Sequence, residues 1–146
     1  MKKAIILAAV IILGILGMMG WQMYLLLEQQ SYDGDVTNYG AAAVESGGIT
    51  ADVDGQSLTL PNELLDGLVS RLTTASTQRK RVGEIPADAL ESMTLHFGTS
   101  CDITLYRLDA AGDATVVRMD TAGRDYMFRL DGYKLFYWVK RIVTQQ

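Results

Sequence analysis

Hydrophobic and polar positions follow three successive regimes along this chain, and the changes between them mark its parts. From Ala4 to Leu27 there is no alternation: AIILAAVIILGILGMMGWQMYLLL holds 24 positions without a charge, with Gln22 the one clearly polar side chain. As a helix rising 1.5 Å per residue this run extends about 36 Å, enough to cross a hydrocarbon layer of about 30 Å. The remaining residues suffice for one modest domain, too small to surround so long an apolar run, so a membrane span is expected over residues 1–28.

From Glu28 the pattern dissolves. EQQSYDGDVTNYGAAAVESGG is rich in Gly, Ala, Ser, Asn and Asp without a sustained apolar period, and residues 29–48 read as a flexible tether into which some of the helix continues. A period of two begins at Ile49 and opens a domain over residues 49–146. ITADVDGQSLTL alternates Ile49, Ala51 and Val53, turns at Asp54-Gly55 and resumes at Leu58 and Leu60, a hairpin signature. Its Asp52-Val53-Asp54-Gly55 resembles the start of a calcium loop, but the third acidic position and the distant glutamate of an EF-hand are missing, so the turn reading wins.

After Pro61 the period becomes 3.6. In PNELLDGLVSRLTTAS the residues Leu64, Leu65, Leu68, Val69 and Leu72 form one stripe, predicting a helix that covers a sheet. A polar connection from Gln78 to Ser92 contains Gly83 and Pro86. Four short β-type runs follow, MTLHF, CDITLYRL, ATVVRM and YMFRL, separated by turn residues, and predict a four-stranded antiparallel meander. In DGYKLFYWVKRIV, Asp131 offers a helix cap ahead of Leu135, Trp138, Val139 and Ile142 on one face; the aromatic content leaves a strand open for residues 133–143. The expected fold is α+β: an N-terminal transmembrane helix, then a hairpin, an amphipathic helix, the meander and a C-terminal helix.

Within the meander, Arg-apolar-Asp recurs every eleven residues: Arg107-Leu108-Asp109, Arg118-Met119-Asp120 and Arg129-Leu130-Asp131. Hairpins of equal length produce that period, with Asp closing each strand, Gly112 and Gly123 supplying positive φ, and Arg and Asp sharing the solvent face while the middle residue points inward. One parity conflicts: Ile103 and Leu105 align with Arg107 and not with Leu108, which leaves a two-sided apolar strand or a bulge open.

Charge changes the picture at the membrane. Lys2 and Lys3 precede the span while Glu28, Asp33 and Asp35 follow it, which puts the amino terminus in the cytoplasm and the domain outside the cell membrane. The apolar run is too long for a cleavable signal, and Trp21, Met23 and Tyr24 stand where small residues are needed, so an uncut anchor is expected. Net charge is −4, and without the two amino-terminal lysines the remainder carries −6, which argues against nucleic acid as a partner. The one basic cluster, Arg79-Lys80-Arg81, has no nearby aromatic for base stacking and is expected in a solvated loop; contact with anionic lipid headgroups or wall polymers is its functional reading.

The chemical inventory is short: one His, one Cys, two Pro and no glycine-rich phosphate loop. No metal site, cofactor site or catalytic residue is assigned. A three-residue loop at Gly98-Thr99-Ser100 would set Phe97 opposite Cys101 and His96 opposite Asp102, placing His96 and Cys101 on opposite faces and disfavouring a Cys-His nucleophile. His96 and Asp102 remain a candidate pH-sensitive pair. Cys101 reads as a small buried apolar residue. The aromatic residues Tyr126, Phe128, Tyr133, Phe136, Tyr137 and Trp138 form the candidate binding surface.

The order of Lys-Lys anchor, hairpin, helix and meander ending in RDYMFRLDGYKLFYWVKRIV resembles small membrane-tethered extracytoplasmic domains of unknown function in Gram-positive bacteria. The resemblance spans residues 49 to 143 and implies location without a catalytic residue. The expected function is a non-enzymatic interaction or sensing module for a protein or envelope component. Two alternatives stand beside it: an envelope hydrolase or its inhibitor, or a complex subunit acting through its span, where Gly14, Gly17 and Gly20 fall at three-residue spacing.

Overall fold

A computed structural model describes residues 1–74 and 78–145. Its first element, α1, is one helix of 45 residues from Lys2 to Ser46. The apolar half is long and apolar enough to cross a membrane; its large side chains from Ile5 to Met19 stand exposed, while Trp21 and Leu25 near its end approach the domain. The stretch expected as a tether is helical instead. Tyr32, Val36, Gly40 and Ala43 are buried along it, spaced by four, four and three residues, so a single stripe faces the domain. That packing outweighs the weak helix propensity of Gly34, Thr37, Asn38 and Gly40. Gly40 has a further use, since a Cβ there would come within 3.3 Å of both Leu65 and Val69. The helix stops at Gly47 and Gly48, with φ of 126° and 91°, and the Gly48 N–H donates to the Ala43 carbonyl at 2.6 Å.

The hairpin follows as β1 (Ile49–Val53) and β2 (Gln56–Leu60). Asp54 and Gly55 both take positive φ, 51° and 76°, as a two-residue type I′ loop requires. A single 3-10 turn at Asn62–Leu64 leads into α2 (Leu65–Leu72). The expected helix ran on through Ala75 and Ser76, which lie outside the described residues. Next come β3 (Lys80–Arg81), β4 (Glu91–Phe97), β5 (Cys101–Arg107), β6 (Ala114–Thr121), β7 (Asp125–Asp131) and α3 (Leu135–Thr144).

The four-stranded meander is present as β4 to β7, but it belongs to a larger antiparallel sheet of seven strands, in the order β2-β1-β4-β5-β6-β7-β3. The hairpin joins through β1, with Ile49 opposite Phe97, and β3 covers the other edge, with Arg81 opposite Phe128. Alternation within a strand says nothing about which strand lies beside it, and two basic residues are too few to show a period. Both outer edges of the meander were therefore hidden.

One face of the sheet carries all three helices. α2 touches both α1 and α3. α1 crosses obliquely, with Tyr32 against Tyr126 and Phe128 of β7 and its later turns over β1 and β4. Ala51, Leu95, Ile103 and Val117 form the fully buried centre of the core. Among the described residues no helix covers the other face.

The eleven-residue period resolves unevenly. Arg118–Asp120 and Arg129–Asp131 are same-face pairs at 3.8 and 2.9 Å, bracketing the buried Met119 and Leu130. The first triplet lies in the opposite phase. β5 keeps unbroken register with β4 and β6, so it has no bulge. Arg107 ends the strand on the helix-covered face, where its Nε donates to Glu91 at 3.2 Å, and Leu108 is only half-buried. Asp109 holds the following turn by accepting from the Asp113 N–H at 2.8 Å. Gly112 has the expected positive φ of 73° and Gly123 does not. That second turn is held by Thr121, whose hydroxyl donates to the Arg124 carbonyl at 2.7 Å and accepts from its N–H at 2.9 Å.

Residues 135–144 are helix, which settles the choice left open by their aromatic content. Asp131 does not cap it, because its carboxylate is engaged by Arg129 within β7. The buried Thr115 hydroxyl accepts the Phe136 N–H at 3.2 Å instead.

Candidate functional site

The six aromatic residues do not form one surface. Alternation along β7 turns Tyr126 and Phe128 toward the helices, where both are buried and meet Tyr32 edge-on at 5.7 and 4.8 Å. The Tyr126 hydroxyl donates to Asp35 at 2.8 Å, and burial is the main reason its pKa is raised. Phe136 is buried under α3. Tyr133 and Tyr137 are exposed, and half-buried Trp138 carries the guanidinium groups of Arg71 and Arg141 against its ring at 4.7 and 5.4 Å. Of these six, only Tyr133, just ahead of α3, and Tyr137, on it, stand exposed.

His96 lies on the uncovered face, directly opposite Asp102. Its Nδ1 is 2.6 Å from Asp102 and its Nε2 is 2.7 Å from Asp52 of β1. Carboxylates only accept hydrogen bonds, so both nitrogens act as donors when both bonds are made and the ring is an imidazolium. The bonds to Asp52 and Asp102 raise the His96 pKa, and the His96 bond lowers that of Asp52. The same row continues with Asp102 opposite Asp120 and Asp120 opposite Asp125; the Asp120 carboxylate raises the Asp125 pKa. Among the described residues no group of three or more His, Cys, Asp or Glu side chains is arranged to hold a metal ion. Cys101 is buried on the opposite face, and burial pushes its thiol up to about 12.

One concavity does not follow from the sequence pattern. A cavity of about 300 Å³ opens where the apolar half of α1 meets the β7–β3 edge. Trp21, Leu25, Glu28 and Gln29 line it from α1, Tyr126 and Phe128 from β7, and the basic cluster from the third side. Arg79 is not solvated. Its side chain is 2% exposed and contacts Asp33 at 2.7 Å. The guanidinium lies 4.7 Å from the Tyr32 ring centre and 5.0 Å from that of Phe128. Its Nη2 donates to the Thr74 carbonyl at 3.2 Å. Among the described residues its Nε and Nη1 have no hydrogen-bond partner, and neither has the buried Oε1 of Gln29. The Arg81 guanidinium lies 3.9 Å from Glu28. One signal for this site was legible: Trp21, Leu25, Glu28, Gln29 and Tyr32 share a helical face once α1 is read as continuous.

No family model, curated protein or solved structure matches this chain.

Proposed function

We propose that this protein is a single-pass membrane protein whose extracytoplasmic domain is a non-enzymatic interaction module for a protein or envelope component. The reading is carried by one observation: α1 is at once the apolar helix and a core element of the domain, through Tyr32, Val36, Gly40 and Ala43. A tether lets a domain wander, whereas a shared helix fixes its height and orientation and ties a load on the domain to the span. Orientation is supported by Lys2 and Lys3 before the apolar run and by the acidic residues after it. Partner contact is supported by the exposed Tyr133 and Tyr137 at α3 and by β2, an edge strand with no neighbour on its outer side among the described residues, which an extended segment of a partner can join by main-chain hydrogen bonds.

The test is crosslinking in intact cells followed by pull-down, comparing the full-length protein with one whose residues 4–27 are replaced by an unrelated span. The same partner captured by both supports the domain as the interacting part. Loss of the partner on replacement moves the function into the span, and no partner in either form contradicts the interaction reading.

A further inference from the structure

The cavity between α1 and the β7–β3 edge has features of a site built for an anionic amphiphile. Its polar side carries Arg79, Lys80 and Arg81 against two carboxylates, Asp33 at 2.7 Å from Arg79 and Glu28 at 3.9 Å from Arg81, which leaves a local excess of one cation in a chain whose net charge is −4. Arg79 is the informative member. A guanidinium has five N–H donors in a planar fork that matches phosphate oxygens, and here two of its nitrogens are buried and unpartnered among the described residues. Leaving buried donors unmet is unfavourable, so they are expected to meet an acceptor that the protein does not supply. The opposite side of the cavity is apolar and is formed by Trp21 and Leu25, which belong to the end of the apolar run. With about 20 residues needed to cross the hydrocarbon, a span beginning near Ala4 brings Trp21 to the interface, where indole rings settle. Trp21 and Tyr24 also stack there, ring centres 5.8 Å apart.

We propose that this cavity binds the phosphate headgroup of an anionic phospholipid from the adjoining leaflet, with the phosphate against Arg79 and Arg81 and the glycerol and first methylenes along Trp21 and Leu25. About 300 Å³ is at the low end of small-molecule sites, suited to a headgroup and too small to take whole acyl chains, which stay in the bilayer. The lipid would wedge the domain against its own helix, so the anchor and the fold share a ligand. The proposal rests on the membrane reading of α1 and not on the identity of any protein partner.

The test uses full-length protein in phosphatidylcholine vesicles, with resistance to alkaline carbonate extraction measured first. Release by carbonate would overturn the membrane reading itself. In the inserted protein, Trp138→Phe leaves Trp21 as the sole indole, and its fluorescence is followed during titration with dihexanoyl phosphatidylglycerol, dihexanoyl phosphatidylcholine or inorganic phosphate. A saturable response to phosphatidylglycerol alone is expected. Arg81→Gln, at an exposed position, should weaken it about fivefold, the effect of one cation near an anionic surface, while Arg118→Gln on the uncovered face leaves it unchanged. The unmodified protein, released from mixed-lipid nanodiscs into a mass spectrometer, should retain one phosphatidylglycerol. An equal response to inorganic phosphate would overturn the lipid assignment. An inserted protein that shows no saturable response and retains no anionic lipid would overturn the site, leaving water to satisfy Arg79.

Discussion

Replacing Tyr32 by alanine separates a docked helix from a loose tether. The side chain is 1% exposed, and its ring is edge-on to Tyr126 and Phe128 with the Arg79 guanidinium 4.7 Å from its centre. Its hydroxyl donates to the Leu72 carbonyl at the end of α2, at 3.1 Å. Removing a large buried ring costs about 3–5 kcal/mol, a large share of the roughly 5–15 kcal/mol that holds a domain together. Tyr32→Phe keeps the ring and leaves a buried carbonyl unmet, at about 1–3 kcal/mol. Urea unfolding in micelles, followed by Trp138 fluorescence with Trp21 replaced by phenylalanine, reads both. With an m-value of about 1.5 kcal/mol/M, Tyr32→Ala lowers the midpoint by about 2–3 M and Tyr32→Phe by roughly 1–2 M. A change within about 0.5 kcal/mol for Tyr32→Ala, the range of an exposed substitution, would refute the docking of α1.

Three further outcomes follow from the same geometry. Gly34 is exposed within α1 with nothing near a built Cβ, so Gly34→Ala should raise stability by about 0.5–1 kcal/mol through helix propensity, measured as a midpoint shift; no gain would argue that this turn is not helical. His96 faces Asp52 from β1 and Asp102 from β5, and its pKa is raised above 6.5 in the folded state. Its contribution is complete below about 6.5 and fades as pH rises through the elevated value, while that of Asp52, lowered from 3.8, is present above 3.8 and lost on acidification. Melting temperature plotted against pH for His96→Gln should therefore lack the decline on the alkaline side of 6.5 that the unmodified protein shows, and identical profiles would dismiss the triad. Cys101, with its thiol pushed up to about 12, should resist iodoacetamide at neutral pH until urea unfolds the domain; rapid labelling of the native protein would contradict its burial.

What the sequence disclosed and concealed has physical reasons. The hairpin turn was legible because Asp54-Gly55 is what two consecutive positive φ angles select. The register of His96 against Asp102 followed from a three-residue loop. The second carboxylate on His96 did not follow, because Asp52 reaches it only when β1 pairs with β4, a contact 44 residues apart in the chain. The docked part of α1 was missed for a related reason. Its stripe of Tyr32, Val36, Gly40 and Ala43 contains a glycine and an alanine that register as apolar only against a partner, here the α2 side chains Leu65 and Val69 in the case of Gly40. The burial of Arg79 did not follow from the sequence because a run of three basic residues usually stays in water, and it takes the Asp33 carboxylate, the Thr74 carbonyl and the rings of Tyr32 and Phe128 together to make that burial tolerable. The aromatic segment divided because strand parity sends Tyr126 and Phe128 inward while helix α3 turns Tyr137 outward.

The central claim is that one helix serves as both anchor and core. Hydrogen exchange of the full-length protein in nanodiscs measures it directly, amide by amide, from Glu28 to Ser46. The account predicts that the amides of Tyr32, Val36, Gly40 and Ala43 exchange with protection comparable to the central strands β4 to β6 and lose it together with them in urea. Fast exchange throughout residues 28–46 while the sheet remains protected would contradict it and return this segment to a tether.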